Sequence, residues 1–263
     1  MNIRRIELKQ AKEQIEEIVL HKEKYVIVCY TCENESEKKF NKTPRITCIN
    51  VRRLDSKQAV SFSISQELEF LNYSKITNEN FDKAEKSMLE KFYFYASHQC
   101  ADKKWLHWRM YDAEYGFAAL ENRCKMLGGV PHIISDQDKI DICGLFKKRY
   151  GERFVKEKWR IKYLAEKNHI ETAGFLGINE EAKAFKQKDY VRLMESPTRK
   201  TSIFLIFLDL AAQGKLKTDS SWSEIHGLTV QGLYDFLKEK WWFNLIVFVF
   251  GIALGGLISY YIK

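Results

Sequence analysis

Residues 25–32 read YVIVCYTC, and this uncharged run decides the fold class. A continuous apolar run of strand length is typical of a strand that is buried on both faces of a sheet. Residues 45–51 form a second short apolar run, and residues 60–65 alternate apolar side chains with serine, which is the two-residue period of a strand. Charged and turn-forming residues separate the three runs, so we expect an antiparallel meander.

Helical periodicity surrounds these strands. Residues 4–22 predict an amphipathic helix before the first strand, and the aromatic stretch at 105–108 predicts a fourth strand. The other predicted helices share apolar side chains at helical spacing, and they cover 81–95 with Asn78 as the cap, 112–127, 138–150, 158–168, 180–186, and 196–213 with Ser196 as the cap. The order of helix, three strands, helix, strand and further helices predicts an α/β (α+β) fold.

The composition excludes several classes of protein. Of the 263 residues, 45% are hydrophobic and 14% aromatic, which is too much apolar surface for a disordered chain. Six cysteines are too few for a disulfide scaffold. Cys29 and Cys32 have C-x-x-C spacing, but no second pair follows, so burial in the strand explains them better than a zinc site. The sequence contains no glycine-rich phosphate loop, zincin helix or serine-hydrolase elbow.

The carboxyl-terminal stretch WWFNLIVFVFGIALGGLISYYI, at 241–262, carries no charge over 22 residues. At a helical rise of about 1.5 Å per residue it would be ~33 Å long, enough to cross a hydrocarbon core of about 30 Å. Trp241 and Trp242 stand at its first edge, where aromatic side chains favour the membrane interface. We therefore predict one transmembrane helix and a lipid bilayer as a partner; a buried core helix is the alternative.

These features predict three units. Residues 1–213 would form a cytosolic domain, 214–240 a linker and juxtamembrane helix, and 241–262 the span. The amino terminus has no apolar segment of signal-peptide type, and two lysines precede the span against one that follows it. The predicted localisation is a single-pass membrane protein with its amino-terminal domain in the cytoplasm.

Small residues mark one face of the predicted span. Gly251, Gly255 and Ser259 follow one another at four-residue spacing. Small side chains let two helix backbones approach closely, which favours self-association of the spans. The alternative is that these glycines have no partner, since glycine is common in membrane helices.

Three motifs in the predicted domain resemble those of a known family. The string HWRMYD at 107–112 follows a predicted strand. The stretch WRIKYLAEKNHI at 159–170 is similar to a helix motif with the pattern basic–Leu–x–x–Leu. Tyr190 precedes Glu195 by five residues. Together with the order of elements, they resemble the 3′-to-5′ exonuclease (DEDD) branch of the ribonuclease H-like superfamily over about 25–212. The resemblance implies a mixed sheet of about four or five strands flanked by helices.

The resemblance also implies a catalytic site. In that family an aspartate at the position of Asp112 binds a catalytic metal, and the equivalent nuclease here would use Glu33, Asp112 and Glu195 with Mg²⁺ or Mn²⁺. The family's first strand supplies an Asp-x-Glu pair, whereas this strand has Cys29, Tyr30 and Thr31 there. Two-metal hydrolysis needs several carboxylates around the ions. We therefore expect no catalytic residues and no cofactor, with the active nuclease as the alternative.

Basic and aromatic residues are the candidate binding groups. The net charge of +8 would attract phosphate backbones or an anionic membrane surface. The residues predicted to bind nucleic acid or a partner are His107, Trp108, Arg109, Lys147, Lys148 and Arg149, and the Arg199-Lys200 pair is a further basic cluster. Buried core positions for the aromatic residues and a solvated surface for the basic ones are the alternatives.

The favoured hypothesis is a sensor or interaction protein. A non-catalytic exonuclease-like domain would bind a protein partner, nucleotide or nucleic acid and signal through the span. This layout resembles that of prokaryotic anti-phage defence effectors. Two alternatives are an active membrane-tethered nuclease and an oligomeric effector whose clustered spans perturb the bilayer.

Overall fold

The computed structural model describes residues 3–33, 44–72, 77–109, 115–156, 160–221, 224–225, 237, 242–243, 245–249 and 252. Five strands lie in these residues: β1 (Tyr25–Cys32), β2 (Ile46–Arg53), β3 (Ala59–Ser63), β4 (Lys104–His107) and β5 (Lys139–Asp141). The described residues also contain eight α-helices: α1 (Ile3–Leu20), α2 (Ile64–Phe70), α3 (Asn78–Gln99), α4 (Phe117–Met126), α5 (Ile142–Tyr150), α6 (Arg160–Lys167), α7 (Ile178–Lys186) and α8 (Tyr190–Ala212).

The five strands form one mixed sheet in the order β3-β2-β1-β4-β5. The first three strands pair antiparallel, as expected for a meander. β4 pairs parallel to β1, and β5 pairs parallel to β4. β1 is therefore the central strand, and the carboxyl ends of β1 and β4 meet at the same edge of the sheet.

Both faces of the sheet are covered by helices, which explains why β1 is apolar throughout. All eight residues of β1 are buried. Ile27 and Cys29 belong to a core shared with α1, α5 and α8, whereas Val28 and Tyr30 belong to a second core shared with α3 and α4. Side chains in a strand alternate between the two faces, so one uninterrupted apolar run supplies both cores.

Several predicted boundaries are wrong where tertiary contacts override the local pattern. The helix predicted at 138–150 is the short strand β5 followed by α5, because Lys139–Asp141 pair with β4. The predicted cap Ser196 lies inside α8, which begins at Tyr190 and is capped by the Asp189 side chain. Ser196 is buried and bonded to α7, so its hydroxyl is not needed at a helix end.

The predicted transmembrane helix is the main correction to the expected fold. The structure describes only positions 242–243, 245–249 and 252 of the predicted span. Among the described residues, no helix is both long enough and apolar enough to cross a membrane. The fold-class prediction is therefore wrong in adding such a helix to the α/β domain. Trp241, Gly251, Gly255 and Ser259 lie outside the described residues.

The first part of the predicted linker packs against the domain. Leu216 is buried in the core that contains α8. The Asp219 backbone N–H donates to the Phe154 carbonyl at 2.9 Å, and the Asp219 carboxylate accepts hydrogen bonds from Lys167 and Tyr163. These contacts hold the described residues up to 221 against the body of the fold.

Candidate functional site

The edge of the sheet where β1 and β4 end is the candidate position of a ligand site. In open α/β sheets, ligands bind in the crevice beyond the carboxyl ends of the parallel strands. Here β1 ends at Cys32 and β4 at His107, and α7 and α8 pack over β1 on one face. Polar side chains from all four elements are buried near this edge.

A buried ion pair joins α7 to α8. The Lys200 ammonium donates to Glu181 Oε1 at 2.6 Å, and the Ser196 hydroxyl donates to the same oxygen at 2.5 Å. Only 1% of Glu181 and 4% of Lys200 is exposed. The ammonium also lies 5.0 Å from the centre of the Phe175 ring. Because water cannot reach either charge, each group depends on the other for compensation.

Burial and mutual attraction shift the pKa values of Glu181 and Lys200. Burial raises the pKa of Glu181, and the attraction of Lys200 opposes that effect. Burial favours a lower pKa for Lys200, but the attraction of Glu181 prevails and the net pKa is raised. The ammonium is therefore charged at neutral pH, and a fixed positive charge lies next to the end of β1.

The thiols near this charge are not activated. Burial raises the pKa of the Cys29 thiol to about 11, although the charge of Lys200 opposes the shift. Burial likewise raises the pKa of Cys32 and Cys48. A thiol of this kind stays protonated at neutral pH and is a poor nucleophile. Cys29 and Cys32 also belong to the cores on opposite faces of the sheet, so they do not form a metal-binding pair.

His107 lies in an aromatic cage on the other face. Its ring centroid is 5.6 Å from that of Tyr30, 5.8 Å from that of Tyr115 and 5.7 Å from that of Phe117. The Tyr115 hydroxyl donates to the Tyr30 carbonyl, and the Tyr30 hydroxyl donates to the Gly116 carbonyl at 3.1 Å. His107 is 1% exposed, so this predicted binding residue is part of the interior.

Trp108 and Arg109, the two predicted binding residues that follow β4, make contacts in different parts of the fold. Trp108 stacks on Phe204 of α8, with ring centroids 5.3 Å apart and planes 7° apart, and belongs to the core. Arg109 has a left-handed backbone, with φ of +61°, and its N–H donates to Asp141 Oδ1 at 2.9 Å. The same oxygen accepts from the Cys143 N–H at the start of α5. The HWR string therefore places its side chains on different sides of the fold.

The three predicted basic residues of α5 also lie in different environments. Arg149 is buried, with its guanidinium 5.3 Å from the centre of the Tyr150 ring. Lys147 and Lys148 line an open cleft of about 550 Å³. The Lys147 ammonium lies 2.8 Å from a carboxylate oxygen of Glu152. Acidic side chains share the lining of this cleft, so it is not a purely basic surface.

The predicted catalytic carboxylates have other partners. Glu33 accepts from Arg45 at 2.9 Å, and the same arginine lies 2.7 Å from a carboxylate oxygen of Asp82. Glu195 is exposed on α8 and lies against Gly174. Asp112 lies outside the described residues.

The described residues do not fit a two-metal centre. Nowhere in the described ranges do three histidine, cysteine or acidic side chains form a group that could hold a metal ion. Arg45 pairs with Glu33 at 2.9 Å and Lys200 pairs with Glu181 at 2.6 Å, so each of these two carboxylates already has a cationic partner.

Sequence reasoning missed Glu181, and it grouped Lys200 with Arg199 as a basic cluster, whereas Lys200 is buried and paired with Glu181. The helical spacing of apolar residues could have predicted that both side chains are buried. Glu181 recurs with Ala184 and Phe185 on the buried face of α7, and Lys200 recurs with Phe204 and Phe207 on that of α8. A charged residue on an apolar face is the unusual feature in each case.

No family model, curated protein or solved structure matches this chain, so its function has to be inferred from its own residues.

Proposed function

We propose that this protein is a ribonuclease H-like domain that binds nucleic acid without hydrolysing it, and so acts as a sensor or interaction module. The order of elements supports the fold assignment. Three antiparallel strands are followed by a helix and then by a strand parallel to the first, which is the pattern typical of these folds. The three sequence motifs add to the same resemblance.

The observation that carries the non-catalytic part of the proposal is the buried Lys200–Glu181 pair. In the resembled family, an acidic pair on the first strand holds metal ions, and Cys29 and Thr31 stand on that strand here. Lys200 brings a positive charge to Cys29, and its only close carboxylate among the described residues is Glu181 at 2.6 Å. An ammonium and a divalent ion would compete for the same carboxylate, and the ammonium is covalently held in place.

The positive charge of the chain supports the choice of ligand. The excess of basic over acidic residues is 8. Nucleic-acid backbones attract such surfaces, and the attraction weakens as salt concentration rises. Binding would be the remaining activity of a ribonuclease H-like domain whose described residues contain no group that could hold a metal ion.

The test is a parallel assay of binding and hydrolysis on the purified full chain. Labelled single-stranded and double-stranded oligonucleotides are incubated with the protein and Mn²⁺ or Mg²⁺. Fluorescence anisotropy should show binding that weakens with salt, and denaturing gels should show no shortening. Glu33→Gln serves as the matched variant and should change neither result, apart from a small effect on stability.

Two results would contradict the proposal. Stepwise shortening of the oligonucleotides that disappears in Glu33→Gln would establish an active nuclease instead. Absence of binding at low salt for every oligonucleotide would remove the nucleic-acid ligand.

A further inference from the structure

Arg52 and Arg199 lie where α8 packs against the β2–β3 hairpin. Arg52 lies near the end of β2 and is half-buried beneath α8, and Arg199 lies on α8 beside Thr198. The Arg52 guanidinium donates to the Thr198 carbonyl at 3.2 Å and to the Thr201 hydroxyl at 3.2 Å. It also donates to the Lys57 carbonyl at 2.5 Å. These three neutral acceptors hold the guanidinium in one orientation.

The two positive charges are close enough to oppose each other. Burial lowers the pKa of Arg52, and the positive charge of Arg199 lowers it further. The geometry agrees with this, because the Arg52 guanidinium lies 3.2 Å from the carbonyl of Thr198, the residue that precedes Arg199. An anion bound next to both guanidinium groups would reduce this repulsion.

The nearby carboxylates do not supply that anion. Arg53, the next residue of β2, points to the opposite face and pairs with Asp55 at 3.1 Å, which uses the one acidic residue of the hairpin turn. Glu195 lies one helical turn before Arg199 but is directed against Gly174. Within the described ranges, Arg52 and Arg199 form no ion pair with a carboxylate.

A rigid polar floor underlies the pair. Asn50 is fully buried, and its amide donates to Ser61 Oγ at 2.9 Å and to Thr198 Oγ1 at 3.1 Å. Its carbonyl oxygen accepts from Thr201 Oγ1 at 2.7 Å. The hydroxyls and amide thus hold β2, β3 and α8 in fixed positions. The Arg52 guanidinium, which has five N–H groups and makes three hydrogen bonds to neutral acceptors, is fixed against this floor, and a donor fixed in this way binds an anion without a large loss of conformational entropy.

We infer that Arg52 and Arg199 form a phosphate-binding site between α8 and the β2–β3 hairpin. A planar guanidinium offers paired N–H donors that match the oxygen atoms of a phosphate group. The site is separate from the Lys200–Glu181 pair, because Lys200 lies on the buried side of α8 with its own carboxylate. This inference rests on the proposed function in one respect, which is that the phosphate group is part of a nucleic acid. A free phosphate compound would be recognised by the same chemistry.

The experiment uses the full chain and two probes. Sodium pyrophosphate is titrated by calorimetry, and a fluorescein-labelled thymidine 12-mer is titrated by anisotropy. Arg199→Gln removes one guanidinium without touching the hydrogen bonds of Arg52. The matched control is Arg192→Gln, which removes an exposed arginine of the same helix that lies 3.8 Å from Asp189. We expect Arg199→Gln to weaken binding of both probes about tenfold or more, and Arg192→Gln to change it less than about twofold.

The outcomes separate this inference from the proposed function. If neither probe binds the wild-type chain, or if the two variants weaken binding equally, the site is refuted. If the oligonucleotide binds the wild-type chain and Arg199→Gln equally well, the site is refuted while nucleic-acid binding stands. If pyrophosphate binding depends on Arg199 but no oligonucleotide binds, the site stands with a free phosphate compound as its ligand, and the proposed function is wrong.

Discussion

Removing one partner of the Glu181–Lys200 pair should destabilise the protein strongly. The two atoms are 2.6 Å apart, so their attraction is about 6 kcal/mol at an effective dielectric constant of about 20. Much of that attraction is offset by the removal of two ions from water, but breaking a buried pair costs about 3–5 kcal/mol. We expect Glu181→Gln to lose about that much free energy of unfolding, because Lys200 would be left buried either as a charge without a counter-ion or as an amine that has had to give up its proton.

The opposite substitution should be milder and dependent on pH. In Lys200→Met the remaining carboxyl can take up a proton, since burial already raises the pKa of Glu181. A carboxyl with a raised folded-state pKa is neutral in both states at low pH and carries no penalty there. The penalty grows as the pH rises from the unfolded-state pKa of about 4.3 to the folded-state value. Lys200→Met should therefore lose less stability at pH 5 than at pH 8.

Denaturant unfolding followed by tryptophan fluorescence and circular dichroism provides the measurement. The double variant Glu181→Gln/Lys200→Met should be more stable than the sum of the single losses predicts, with a coupling of at least about 1 kcal/mol. Lys183→Met, at an exposed position of the same helix, is the control and should change stability by less than about 0.5 kcal/mol. Additive single losses, or a loss below about 1 kcal/mol in Glu181→Gln, would refute the reasoning.

Two further predictions concern residues near the same edge of the sheet. Cys29, Cys32 and Cys48 should react with a thiol reagent at pH 8 only as fast as the protein unfolds. Burial raises the pKa of each thiol and excludes the reagent. Urea-unfolded protein is the reference, and rapid reaction of the native protein would contradict the prediction. Trp108→Ala should lose about 3–5 kcal/mol of unfolding free energy, because it empties the space beside Phe204, whereas Trp108→Phe should lose less. Full stability of Trp108→Ala together with weaker oligonucleotide binding would instead place Trp108 in a ligand site.

The sequence predicted the central strands well because their burial is recorded in the local pattern. β1 begins and ends at the predicted residues, 25 and 32, since an apolar run with turn-forming neighbours has few other stable states. The meander followed from the short links between the runs. The helix predicted over 81–95 is present within Asn78–Gln99 for a similar reason, because its apolar residues keep helical spacing.

Local pattern was a poorer guide where two distant segments decide the outcome. Lys139–Asp141 form a strand only because β4 offers a parallel edge, and a three-residue run carries no periodicity of its own. Ser196-Pro197 is a strong signal for a helix start, yet the segment lies within α8 because Ser196 donates to Glu181 on a neighbouring helix. The stretch at 241–262 predicts a membrane span from its length, its lack of charge and its aromatic edge, but no described helix has the length and apolarity that a span requires.

The sequence by itself determined the α/β class, the apolar centre of the sheet and the excess of positive charge, because each depends on residue types and short-range spacing. Only the tertiary structure decided which charges are compensated. Glu181 meets Lys200 across two helices, and Arg52 donates to the backbone of Thr198, next to Arg199, although Thr198 is 146 positions away along the chain. The free energy of a charge depends on its distance to other charges and on its access to water, and both quantities exist only after the chain has folded.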